Sequence, residues 1–376
     1  GLWFTLYQFD ELKEKKKDTE FPALTILAGG PDSANRLQEM LLQLDCQFRA
    51  MQQVLKLVLS PANICTPQFF SDFAAKQAGA LPGVSTEVWG EERLEKEGMN
   101  LLLAVGRGSP RESRLLILDY RGDEQNREHI ALVGKGVCFD TGGTNLKASS
   151  QMKGMQYDMM GGAIVYGAFY ALAGSAVKGN IRAYIPLVEN QIGAEAIKTG
   201  DVFRSAMGLT VEVNNTDAEG RLILADAIHC AVRQKPSLLV DCATLTGAAV
   251  AALGEQCAAF YSSDQRTADL FSAAAGETGE DVWQLPLFRP YARFLESKVA
   301  DISNISTKSS MGGSLTAALF LEKFAVQEDD DGRAAPWLHL DMACWSGLDK
   351  HPSFGKNVRA AGVRLLSLFV RKYWGI

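Results

Sequence analysis

A chain of 376 residues, 47% hydrophobic and 22% charged, has the make-up of an ordinary globular protein and room for one large domain plus a smaller piece. Its formal charge of −6 and pI near 5.4 argue against a general binder of phosphate backbones and against nucleic acid as a partner. The longer apolar runs break well before bilayer length, no basic region precedes an apolar core at the start, and the seven cysteines are scattered without a Cys-x-x-Cys pair; no membrane span, signal peptide or disulfide framework is expected.

In chain order, residues 23–28 make one apolar strand candidate, ended by Gly29-Gly30. A helical pattern over about 34–59 sets Leu37, Met40, Leu41 and Leu44 on one face, and Pro61 stops it. This opening is too small for a complete domain, and its start at Gly1 suggests a fragment or a processed chain from which targeting information is absent. From 61 to 376 the texture alternates. Strands are expected at 101–105, 114–120, 129–133, 181–187, 238–241 and 337–341, and helices at 162–173, 222–233 and 313–324. Such alternation predicts an α/β, three-layer domain whose mixed, mostly parallel sheet is covered by helices on both faces. Sites in such sheets lie beyond the carboxyl ends of the strands, and three of these strands run straight into unusual polar segments.

The first segment is Gly134-Lys135-Gly136-Val137-Cys138-Phe139-Asp140-Thr141-Gly142-Gly143, with Lys147 after it. A phosphate-binding turn fits poorly, because the third glycine of a dinucleotide fingerprint is out of place and no Walker lysine-serine pair follows. Singly, Asp140 reads as a turn residue and Lys135 as a solvated strand end. The second segment, Met155-Gln156-Tyr157-Asp158-Met159-Met160-Gly161-Gly162, leads into an apolar helix that Asp158 alone would cap. The third, Asn214-Asn215-Thr216-Asp217-Ala218-Glu219-Gly220-Arg221, offers Thr216 and Glu219 as a capping box. That leaves Asp217 and Arg221 without a role.

Together the segments would bring Asp140, Asp158, Asp217 and Glu219 to strand ends and helix starts. Four converging carboxylates need counter-charge. Two divalent cations supply it, and oxygen-rich ligation suits magnesium, manganese or zinc. None of the histidines (His129, His229, His339, His351) lies in these segments, which disfavours a histidine-based zinc site.

At these residues the chain resembles the leucyl aminopeptidase family, the cytosol aminopeptidases of family M17. The likeness rests on the first and third segments. Met155 to Gly162, Ala243-Thr244-Leu245-Thr246-Gly247-Ala248, Gly312-Gly313-Ser314-Leu315-Thr316-Ala317 and Trp337-Leu338-His339-Leu340-Asp341 match in order and spacing. It runs from about residue 61 to the C-terminus. The resemblance implies a metal-dependent aminopeptidase that removes the N-terminal residue, leucine or a similar one, from peptides. It makes Asp140 and Glu219 bridging ligands of two metals, Asp217 a ligand of the looser one, and Lys135 and Asp158 ligands of the tighter one. An ammonium has no lone pair, so Lys135 would bind as the neutral amine, its pKa depressed by metal and desolvation. Lys147 would polarise the scissile carbonyl, and Arg221 would hold a bicarbonate acting as general base while a water activated by the metals attacks. Asp158 would also take the α-amine of the substrate, which confines the site to N-terminal residues. Met155, Thr244, Gly247 and Ala343 would line the pocket for the first side chain, and the backbone around Leu245 would hold the peptide. The implied cofactors are two divalent ions per subunit, zinc or manganese ahead of magnesium or cobalt, and bicarbonate. The implied setting is a cytoplasmic homo-hexamer acting on peptides.

Two loops depart from the family pattern. Thr144-Asn145-Leu146-Lys147-Ala148 lacks a serine two residues before the lysine and a proline after it, and Lys198-Thr199 stands where many relatives have arginine and proline. Neither change touches a ligand. Relatives carry a full α/β domain ahead of the catalytic one, so 1–60 would be its truncated remnant with a connecting helix, and 61–376 the catalytic domain. The rival from another class is a non-catalytic or dual-role DNA-binding regulator on the same fold; the acidic balance and the complete set of candidate residues count against it. A two-metal phosphatase or nuclease would need more basic surface than Lys135, Lys147 and Arg221 offer.

Overall fold

The structure, a computed structural model, describes residues 9–14, 25–27, 29–309, 311–327, 332, 334–346 and 360–376. Half of the strand expected at 23–28 lies outside the described residues, and 25–27 hold no strand; His351 also lies outside them. In chain order the strands are β1 (Val84–Trp89), β2 (Arg114–Arg121), β3 (Ile130–Gly134), β4 (Gly136–Asp140), β5 (Asn180–Asn190), β6 (Val202–Arg204), β7 (Thr210–Glu212), β8 (Leu238–Ala243), β9 (Ala258–Ser262), β10 (Val282–Gln284), β11 (Ile302–Ser303) and β12 (Trp337–Asp341).

Alternation along the central strands explains the layers. In β3, Ile130 and Leu132 face one apolar cluster, while Ala131 and Val133 face another on the opposite side of the sheet. β8 and β12 divide the same way: Leu238, Val240, Leu338 and Leu340 go to the first cluster, Leu239 and Trp337 to the second. Strands apolar on both faces must be covered on both, as parallel sheets usually are. Helices Pro31–Leu59, Pro67–Gly79, Met160–Gly174, Gln265–Thr278 and Val363–Trp374 cover one face; Asn100–Gly106, Gly220–Val232 and Gly313–Ala325 cover the other. The resulting nine-stranded sheet runs β1-β2-β5-β3-β8-β12-β9-β10, with β4 beside β5. β3–β5, β3–β8, β8–β12, β4–β5 and β9–β10 are parallel; β1–β2, β2–β5 and β9–β12 are antiparallel. The sheet is mixed and mostly parallel, as expected from the alternation. β6, β7 and β11 form a separate three-stranded sheet. No helix among the described residues is long and apolar enough to cross a membrane, and all seven cysteines are free thiols.

One expectation is corrected. Residues 101–105 form a helix, Asn100–Gly106, instead of a strand. An apolar run this short carries no decisive period. What settles it is Asp226, which accepts the amides of Leu101 at 2.8 Å and Leu102 at 3.1 Å, a helix cap supplied from another helix. In the long helix Pro31–Leu59, the face of Met40, Leu41 and Leu44 is exposed and Leu37 only half-buried. Burial starts at Cys46 and takes in Ala50, Val54, Leu57 and Val58. At 1.5 Å per residue its 29 residues span about 43 Å, against about 22 Å for the 15-residue helix Met160–Gly174 on which it packs. The first half overhangs.

A buried polar pair crosses the central strands. Asp241 accepts the Trp337 indole N–H at 2.7 Å and faces His339 Nδ1 at 2.5 Å, with all three side chains buried. Burial pulls the His339 pKa down, but Asp241 outweighs it and the net shift is upward. A raised histidine stabilises the fold fully below its unfolded value near 6.5, and that contribution is lost as pH rises through the folded value. His339→Gln is therefore expected to cost about 3 kcal/mol at low pH, where Asp241 loses its cation. Thermal unfolding of chelated protein across about pH 5.5 to 9 checks this; a gap to wild type that widens with rising pH would contradict it.

Candidate active site

The central strands end together, and the polar segments meet there. β4 delivers Asp140, then turns on Gly142 and Gly143, whose φ values of +86° and +65° suit glycine. Asp140 Oδ1 accepts the Gly142 amide and the Asn190 side-chain amide, both at 2.8 Å. Asn190 ends β5, directly opposite Asp140 in the pairing. The capping box expected at Thr216 and Glu219 is absent. The Thr216 hydroxyl instead donates to the Gly142 carbonyl at 2.6 Å and accepts the Asn145 amide at 2.9 Å, clamping the turn that carries Lys147. Asp217 is oriented by its own amide, which donates to Asn215 Oδ1 at 2.8 Å. Nor does Asp158 cap the following helix; its Oδ1 accepts the Thr244 hydroxyl at 2.8 Å.

The four carboxylates converge. Lys135 Nζ lies 2.8 Å from Asp158 Oδ2 and 2.8 Å from Glu219 Oε1, and donates to the Thr244 carbonyl at 3.1 Å. Lys147 Nζ lies 2.8 Å from Asp140 Oδ2 and also pairs closely with Asp217. Asp140, Asp217 and Glu219 each offer an oxygen within 4.8 Å of the others. Burial pushes the Glu219, Asp158 and Asp217 carboxyls up, and Asp140 pushes each of them further. Burial pulls Lys135 down, but Asp158, Glu219 and Asp140 together hold its ammonium well above the ordinary range. The amine thus stays protonated until other positive charge takes up those carboxylates. Two ammoniums among four acids leave the cluster short of positive charge, and Glu219 Oε2 is buried with no hydrogen-bond partner among the described residues. Hard oxygen donors in this state fit divalent cations.

The cluster floors a cavity of about 220 Å³. Lys135, Asp140, Lys147, Asp158, Asp217 and Glu219 line it, and so do Met155, Thr244, Leu245, Gly247 and Ala343. Arg221, buried in the first turn of Gly220–Val232, is not among the residues that line the cavity. Its Nη1 donates to the Asn304 carbonyl at 2.7 Å, its buried Nε has no hydrogen-bond partner among the described residues, and burial lowers its pKa to about 10. Sequence reasoning missed Gly154, Tyr157, Thr246 and Val250 on the cavity wall and Asn190 beneath it. Val250 had a signal, one helical turn after Gly247. Asn190 had none, since only strand register sets it against Asp140.

Comparison with known proteins agrees with this geometry. Residues 53–367 match the cytosol aminopeptidase family, catalytic domain. A probable cytosol aminopeptidase of Geobacter sp. strain M21 is 38% identical over 371 residues, covering 97% of this chain and 73% of that protein. One from Caulobacter vibrioides is 39% identical over 378 residues, covering 98% and 74%, and one from Saccharophagus degradans 42% identical over 306 residues, covering 81% and 59%. Family match and cluster together make the chain a metal-dependent aminopeptidase, a hydrolase, and it belongs to the cytosol aminopeptidase family.

Proposed function

We propose that this chain cleaves the first peptide bond of peptides with leucine-like N-terminal residues, in the cytoplasm, as a homo-hexamer. The observation that carries the reading is the convergence of four carboxylates and two lysines on the floor of one cavity. Asp140 and Glu219 would hold two divalent ions between them, Asp217 one of the pair, and Asp158 with the neutral amine of Lys135 the other. Zinc or manganese bound there would supply Lewis acidity and a water of lowered pKa.

The remaining work falls to the chain's own groups. Lys147, half-enclosed between Asp140 and Asp217, offers an ammonium to the charge that develops on the scissile oxygen. Asp158, a buried carboxylate on the cavity floor, accepts the α-ammonium of the substrate, which explains trimming from the N-terminus only. The unpaired Nε–H of Arg221 and its cationic charge suit a bicarbonate ion as general base. Met155, Thr244, Gly247 and Ala343 surround the first side chain with Leu245 beside the peptide backbone. Gly247 leaves open space where a Cβ would project, so the wall there admits a branched side chain.

Chelation should lower hydrolysis of leucine amide at least about a hundredfold, and refilling with manganese or zinc should restore it. N-acetyl-leucine amide should remain uncut throughout. Undiminished turnover by the chelated protein, or cleavage of the blocked amide, would refute the reading.

A further inference from the structure

A carboxylate that never reaches the cavity organises its wall. Asp341 ends β12, is fully buried and makes no ion pair among the described residues. Its Oδ1 accepts the amides of Leu245 and Thr246, both at 3.2 Å, and of Ala343 at 3.4 Å. Its Oδ2 accepts the Thr246 hydroxyl at 2.6 Å and the Ser314 hydroxyl at 3.3 Å. Tyr261 donates in turn to Ser314 at 3.0 Å. In the parallel pairing of β8 and β12, Asp341 sits opposite Ala243, so it lies beside the point where the chain leaves β8 for the cavity. One side chain therefore joins three segments: the loop after β8, the turn after β12 and the first turn of Gly313–Ala325. Leu245, Thr246 and Ala343, which it holds, all line the cavity. An ionised carboxylate is suited to this, since it accepts from every donor and offers none that would need a partner of its own.

We propose that Asp341 is a positioning residue for the substrate: it sets the spacing between the Leu245 loop and Ala343 that the first residue of the peptide meets. The inference rests on the reading of this cavity as the peptide site. A looser wall weakens substrate binding before it affects the chemistry, because Asp140 and Asp217, on the far side of the cluster, are anchored outside this loop, through Asn190 and Asn215. Small errors of placement are costly in such sites.

The test uses metal-loaded enzyme and leucine amide. Asp341→Asn keeps the shape but puts an N–H₂ among the donors; Thr246→Val removes one hydroxyl from the set, and Thr246→Ser returns it. Asp341→Asn and Thr246→Val are each expected to raise KM about tenfold with kcat within about threefold of wild type and metal content unchanged, and Thr246→Ser to fall back within about twofold of the wild-type KM. Should Asp341→Asn fail to fold, the two Thr246 variants decide alone. Wild-type KM in Thr246→Val, or a loss confined to kcat or to Tm, overturns the proposal and leaves the cavity reading intact. Loaded wild type without any hydrolysis overturns both.

Discussion

Lys147→Ala is expected to lower kcat for leucine-amide hydrolysis about a thousandfold, the order lost when a preorganised donor to a developing oxyanion is removed. Asp217→Ala should abolish turnover to a similar degree by taking away one of the three oxygens that cluster within 4.8 Å. Asp217→Ala should not harm the fold. Asp217 is driven toward its neutral form by burial and by Asp140, so in chelated protein its removal relieves like-charge crowding, and Lys147 keeps Asp140 at 2.8 Å. The Tm of chelated Asp217→Ala should equal or exceed that of wild type. Lys135→Ala should behave in the opposite way, since it leaves Asp158 and Glu219 buried without their cation, a loss of about 3 kcal/mol or more. Steady-state kinetics beside thermal unfolding in chelator separates the two behaviours. Near-normal rates in Lys147→Ala or Asp217→Ala would show the assigned roles to be wrong.

Features that depend on local pattern are legible in the amino-acid sequence itself. The strands at 114–120, 129–133, 181–187, 238–241 and 337–341 are β2, β3, β5, β8 and β12 with ends shifted by a few residues at most, because strands apolar on both faces leave a continuous signal. The acidic segments are legible as chemistry because their residues are costly where they stand. Less visible is everything decided across the chain. The helix at 100–106 depends on Asp226, 125 residues away from Leu101. Thr216 and Glu219 carry the pattern of a capping box, yet a turn 71 residues earlier claims the hydroxyl. Asp341 stands in a motif shared with the family, but three of its five donors come from the loop after β8, which the β8–β12 pairing brings beside it.

Gly220→Ala tests the centre without removing any charged group. A Cβ at this position would stand 2.5 Å from Lys135 Cε and 2.6 Å from its Nζ. Gly220 opens the helix Gly220–Val232 immediately after Glu219, where alanine favours the helix by up to about 1 kcal/mol. The obstacle is the end of a flexible side chain, not backbone, so the chain can fold by swinging Lys135 aside. That movement withdraws the amine from between Asp158 and Glu219. The expected protein is soluble with a Tm within about 4 °C of wild type, yet its kcat/KM falls about a hundredfold. Metal retained after dialysis, measured by elemental analysis, should fall below that of wild type. Full metal content with undiminished activity would mean that Lys135 need not stand where the structure puts it. Loss of metal with the fold intact would instead show that the methyl group acts through the position of one amine, because every carboxylate of the site is still present.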